Sequence, residues 1–104
     1  MTEKRDTAIS DEALAARAKE EAWAQECLLE RYKPLVRAQA ASYYLPGADA
    51  EDLVQEGMIG LFRAIQDFDP AKGAFGSFAK LCVQRQVISA VKASTRQKHQ
   101  LLNE

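Results

Sequence analysis

Apolar residues recur at three- and four-residue intervals along most of the chain, and no stretch alternates apolar and polar positions as a half-buried strand would, so the pattern predicts helices throughout. Residues 1–9 (MTEKRDTAI) carry no periodicity and are expected to be a disordered N-terminus. Ser10 and Asp11 then offer N-cap oxygens for a helix through DEALAARAKEEAWAQECLLERY. Leu14, Ala18, Ala22 and Leu29 form its packing face, Trp23 lies in the core or at an interface, and Arg17, Lys19, Glu20, Glu21 and Glu26 are solvated. Lys33-Pro34 marks either a kink or a new start for PLVRAQAASYYL, which stops at Pro46-Gly47.

Asp49 is a good N-cap for a third helix from about Ala50 to Phe68, with Glu51 and Asp52 in the first turn where carboxylates suit the helix dipole. Leu53, Val54, Gly57, Met58, Leu61, Phe62, Ile65 and Phe68 supply its apolar spacing. DFDPAKGAFG provides turn residues over roughly Asp69 to Gly76, and Ser77 can cap a fourth helix in which Phe78, Leu81, Cys82, Ile88 and Val91 face inward. After Thr95 a polar tail is expected, with 97–104 the start of a linker or tail. The predicted fold is all-α, a compact bundle of about four helices in one domain over residues 10–96.

Apolar residues at 47% and charged residues at 28% fit a folded globular chain, and 104 residues suffice to bury a core without metals or disulfides. Cys27 and Cys82 belong to no C-x-x-C pair and are expected to be buried small hydrophobes in a reducing cytoplasm. No apolar run approaches a membrane span and Met1 to Ser10 is too polar for a secretory signal, so a cytoplasmic location without membrane partners is expected. The net charge of −1 conceals a division. Residues 1–30 hold eight acids against four bases, whereas residues 76–104 hold Lys80, Arg85, Lys92, Arg96 and Lys98 against Glu104 alone.

Two helix surfaces carry the candidate chemistry. Glu51, Asp52, Gln55 and Glu56 cluster at the start of the third helix, with Asp52 and Glu56 at i,i+4. Like charges so arranged cost a few tenths of a kcal/mol, which a basic partner offsets. Arg85, Ser89, Lys92 and Arg96 recur at +4, +3 and +4 on the fourth helix, with Gln86 beside them. Arg and Lys suit phosphates, while Gln and Ser suit base edges. From spacing alone each surface is equally met by an ordinary solvated helix face. Catalysis is not expected, because His99 stands alone and Asp52 and Glu56 lack a nucleophile or metal-ligand constellation; no cofactor and no metal is called for.

The wording of AEDLVQEGMIGLFRAIQDFDPAKG, residues 50–73, resembles the core-polymerase-binding segment of the sigma-70 family, and FGSFAKLCVQRQVISAVKASTRQKH continues like its −10-recognition helix. GMIGL, LCVQRQ and TRQKH are most similar to the sporulation and stress branch typified by sigma-H, and the likeness covers roughly residues 31–99. It implies a sigma factor region 2 domain that binds core RNA polymerase and recognises and helps open the promoter −10 element. Asp52, Gln55, Glu56, Met58 and Phe62 would face the coiled coil of the largest clamp subunit. Arg85, Gln86 and Ser89 would approach the upstream edge of the −10 duplex, with Gln86 and Ser89 reading a base pair and Lys92 and Arg96 holding phosphates. Lys72, Phe75 and Ser77 would help hold a nucleotide flipped from the opened, non-template single strand. An anti-sigma factor is a further partner class that the resemblance implies.

Two departures from the family matter. Housekeeping members carry a tyrosine and paired tryptophans where this chain reads FAKLCV at Phe78–Val83, and each lost stacking platform is worth about 1–3 kcal/mol per base, so melting is expected to be weaker or more sequence-dependent. Family members also carry a later helix-turn-helix domain for the −35 element, whereas this chain reads on into HQLLNE. A fragment is the favoured expectation, a short protein needing a partner the other. The alternative function is a helical polymerase- or regulator-binding module without direct DNA readout, marked by missing salt-dependent DNA binding even with polymerase present. The slightly acidic chain by itself is expected to bind duplex DNA weakly.

Overall fold

The computed structural model describes residues 8–43 and 50–103, with side chains up to Arg96. The expected stop at Pro46-Gly47, the Asp49 cap and His99 lie outside the described residues or side chains, as do residues 1–7. Among the described residues four helices of eight residues or more follow in order: α1 (Asp11–Ala18), α2 (Ala22–Ser42), α3 (Ala50–Asp67) and α4 (Phe75–Asn103), with a short 3-10 turn at Pro70–Lys72. The all-α expectation is met, and α3 lies along α4 as the central pair, with α2 against both and α1 folded across α2. No described helix is long and apolar enough to cross a membrane.

The first predicted helix is in fact two. Ser10 caps α1 as expected, its hydroxyl oxygen accepting the Ala13 N–H at 3.1 Å. After Ala18 the chain turns, with the N–H groups of Glu20 and Glu21 both donating to the Arg17 carbonyl. The reason is long-range. In one continuous helix Asp11 and Arg31 would stand about 30 Å apart. The elbow instead brings the Arg31 guanidinium to Asp11 Oδ1 at 2.7 Å and to the Ile9 carbonyl at 2.9 Å, while the Tyr32 hydroxyl donates to Asp11 Oδ2. Ile9, expected to fray, is thus tied down and packs against the core. Leu14 and Ala15 of α1 are buried, and the packing face of α2 is Ala24, Leu28, Val36 and Ala40, with Ala22 exposed. Trp23 is half-buried with the Arg17 guanidinium 6.0 Å from its ring.

Of the two alternatives at Lys33-Pro34, the new start is not seen, because α2 continues through Pro34. The N–H it lacks costs one helical bond, and both Pro34 and Glu30, whose carbonyl that bond would have used, are exposed residues.

The fourth helix begins at Phe75, two residues before the expected Ser77 cap. The capping acceptor comes from elsewhere in the chain: Glu12 Oε2 of α1 takes the Phe75 N–H at 2.9 Å. Gly73 precedes it at φ 135, a conformation that side chains disfavour. The helix then continues past Thr95 to Asn103, since no glycine or proline interrupts the sequence there. Its buried row is Phe75, Ala79, Val83 and Val87. Phe78, Cys82 and Val91 pack at its margin as half-buried residues, while Leu81, expected inside, is 41% exposed. After Phe75 the inner row holds only alanine and valine, and α3 presents Gly57 and Gly60 close by, so that a Cβ at Gly60 would lie 2.8 Å from the Cys82 carbonyl oxygen. Cys27 and Cys82 are both half-buried rather than fully buried, and neither is in a disulfide.

An alkaline limit to stability follows from Tyr32. Its phenol is pushed up, first by burial and then by the hydrogen bond to Asp11 and the nearby charges of Asp11 and Glu12. A folded value above the unfolded one, near 10, means the contribution is whole below that pH and is lost as pH rises above it. Burial pushes the Cys82 thiol in the same direction. Thermal melting between pH 8 and 11 should therefore fall on the alkaline side, and Tyr32→Phe should flatten that fall.

Candidate functional site

The amphipathic pattern of α3 buries Leu53, Gly57, Gly60, Leu61, Ala64 and Ile65 and turns the opposite side to solvent. Of the predicted docking residues, Asp52 and Gln55 are exposed and Phe62 is 40% exposed, while Glu56 and Met58 are half-buried. Met58 sits apart from the others, with Glu26, Leu29, Glu30 and Lys33 of α2 around an open cleft of about 330 Å³. Sequence reasoning passed over Ile59, which is 43% exposed between Gln55 and Phe62 on the outer face. The signal was present: an isoleucine falling off the inward row of a helix is an apolar residue offered to something else. The face is therefore acidic in its first turns and apolar in the next.

On α4, Arg85, Ser89, Lys92 and Arg96 are all exposed on one side, as predicted, with exposed Leu81 one turn before Arg85. Gln86 is not part of that side. Each residue advances about 100° around a helix, which carries Gln86 from the outer stripe onto the flank facing α3. There its Nε2 donates to Glu56 Oε2 at 2.8 Å and its Oε1 accepts from Arg63 Nη1 at 3.3 Å. The residue expected to read a base pair is thus joined to a residue expected to dock polymerase, and the outward pair on the helix is Arg85 and Ser89. Arg63, which the sequence did not single out, completes this link.

The loop before α4 forms a cleft of about 190 Å³ lined by Asp67, Phe68, Asp69, Lys72, Gly73, Ala74 and Phe78. Lys72 is on its rim as expected, and Ser77 is exposed on the first turn of α4. Phe75 is not available. Its ring is 0% exposed, meeting Tyr32 edge-on at 5.3 Å and Phe68 at 5.2 Å between centroids. Two phenylalanines line the cleft instead: buried Phe68 and, three residues on from Phe75, half-buried Phe78. The Asp69 side chain accepts the Ala71 N–H at 3.0 Å and the Lys19 ammonium donates to the Phe68 carbonyl at 3.1 Å, so both ends of the cleft wall are fastened. Among the described residues no group of three or more His, Cys, Asp or Glu side chains could hold a metal ion.

Residues 28–97 match the family model described as Sigma-70 region 2. The RNA polymerase sigma-H factor of Bacillus subtilis (strain 168) is 54% identical over 81 residues, covering 77% of this chain and 37% of the relative. That of Bacillus licheniformis is also 54% identical over 81 residues, covering 77% of this chain and 36% of the relative. The RNA polymerase sigma factor FliA of Pseudomonas aeruginosa is 39% identical over 74 residues, covering 65% of this chain and 29% of the relative. The chain thus spans a little over a third of the length of the sigma-H factors it matches. With the matched segment running from α2 through the basic stretch of α4, and containing the acidic and apolar face of α3, the chain belongs to the sigma-70 family through its region 2.

Proposed function

We propose that residues 10–96 form a transcription-initiation module that docks on bacterial core RNA polymerase through α3 and engages the promoter −10 element through α4 and the loop before it. The observation that carries this reading is the separation of chemistry on two adjoining helices: carboxylates beside exposed Ile59 and Phe62 on one, and an exposed stripe of Arg85, Ser89, Lys92 and Arg96 on the other. Asp52, Gln55 and Glu56 offer acceptors to a basic surface such as the clamp coiled coil of the largest subunit, and Phe62 and Ile59 add apolar area. An anti-sigma factor would compete for the same face. The setting is the cytoplasm, where bacterial polymerase works, and the role is binding rather than catalysis.

On the DNA side, Arg85 and Ser89 face outward one turn apart and are the proposed base contacts, and Lys92 and Arg96 extend the stripe along phosphates. The Phe78 cleft suits an extruded base, with the ring for stacking, Lys72 for the backbone, and Asp67 and Asp69 as acceptors for an exocyclic amino group. In the presence of core polymerase, binding of a panel of −10 sequences by the chain tests these roles. Lys92→Ala should weaken every sequence about equally and reduce the salt slope by about one. Ser89→Ala should alter preference at one upstream position by about 1–3 kcal/mol. Indistinguishable profiles for the two variants would remove the division between positioning and readout.

A further inference from the structure

We propose that Gln86 is a positioning residue for the Glu56 carboxylate, so that the helix bearing the DNA face also pre-orders the polymerase-docking face. This rests on the docking reading above. The two residues are 30 positions apart in sequence, yet Gln86 Nε2 reaches Glu56 Oε2 at 2.8 Å on a partly buried flank. Arg63 takes the other end of the same amide at 3.3 Å. A guanidinium has only donors and a carboxylate only acceptors, so the amide can satisfy both in one orientation alone. Its flip is chemically determined.

Gly60 makes the arrangement reachable. A Cβ there would stand 2.9 Å from Gln86 Cβ, so the stem of Gln86 lies directly across the α3 backbone and delivers its amide to the next turn. Gln86 engages Oε2 of Glu56, leaving Oε1 and further lone pairs for a cationic side chain of a partner. A glutamate on an open helix face must be immobilised when it binds, and one already held loses less conformational entropy on docking. The link therefore raises the affinity of the docking face without touching the partner.

The test is the affinity of this chain for bacterial core RNA polymerase, with helicity and melting checked in parallel. Gln86→Met keeps the stem over Gly60 and removes both hydrogen bonds; it should weaken docking about 3- to 10-fold. In a Glu56→Ala background the same change should cost nothing further, because there is no carboxylate left to hold. Unaltered docking affinity, or a full additional loss in the Glu56→Ala background, overturns the proposal. A folded wild type that binds no polymerase defeats the docking reading itself. Independently of polymerase, the Gln86 side-chain amide protons should shift in nuclear magnetic resonance spectra of Glu56→Ala; unmoved resonances would break the link at its source.

Discussion

Phe75→Ala should lower the melting temperature of the domain by roughly 15–30 °C, the largest loss expected from any single truncation. Phe75 is wholly buried and meets Tyr32 and Phe68 in edge-to-face contacts. Removing a buried phenylalanine costs about 3–5 kcal/mol, and in a domain of this size each kcal/mol moves the midpoint by about 4–8 °C. Against a total stability of about 5–15 kcal/mol, that is a large share. The position is costly for a second reason. Phe75 is the first residue of α4, and its N–H is held by Glu12, so a collapsed side chain also loosens the contact between α1 and α4. Differential scanning calorimetry measures the loss directly. Phe78→Ala is the contrast, since Phe78 is half-buried on the loop cleft and should cost much less stability while impairing engagement of an extruded base. Equal melting of the two variants would mean that the aromatic roles are misassigned.

The second large effect is expected at Gly60. An added Cβ would lie 2.8 Å from the Cys82 carbonyl oxygen and 3.0 Å from Val83 Cα, and neither is a side-chain atom that can rotate away. Alanine gains about 1 kcal/mol of helix propensity over glycine, but overpacking of this kind costs about 1–3 kcal/mol, so Gly60→Ala should be mildly destabilising. Gly60→Leu must push α3 and α4 apart and should cost about 3 kcal/mol or more. At Gly57 the nearest obstacle is the Val36 Cγ1 methyl at 2.7 Å, with Val83 and Val87 methyls at 3.5 Å. Those are side-chain atoms, so Gly57→Ala should be tolerated better than Gly60→Ala. Urea denaturation of the three variants gives the ranking, and a Gly60→Leu protein as stable as wild type would contradict the close helix approach.

These two positions also show what was legible in the sequence. The third helix was predicted at Ala50 to Phe68 and spans Ala50–Asp67, because its apolar period is strong and its ends carry their own signals. The elbow after Ala18 was not legible, since ARAKEEAW consists of good helix formers and the turn answers to an Asp11–Arg31–Tyr32 contact across some twenty residues. The same holds for the start of α4, where Ser77 was the local candidate and Glu12, 63 residues away, is the acceptor. That shift decides which phenylalanine of FGSF is core and which lines the cleft. Arg85, Ser89, Lys92 and Arg96 are all exposed, as their helical phase predicts. Gln86 departs from that phase by one residue, which the spacing alone already implied and the contacts with Glu56 and Arg63 make concrete.

The central claim is that the acidic and apolar face of α3 docks on polymerase, and one measurement addresses it most directly: retention of bacterial core RNA polymerase by the immobilised chain. Wild type should retain it, Gln55→Ala should retain less, and Glu56→Lys, which places a cation where the partner presents one, should lose at least about tenfold in affinity with helicity intact. No retention by the folded wild type, or equal retention by Glu56→Lys, would contradict the account and leave α3 as an ordinary solvated helix.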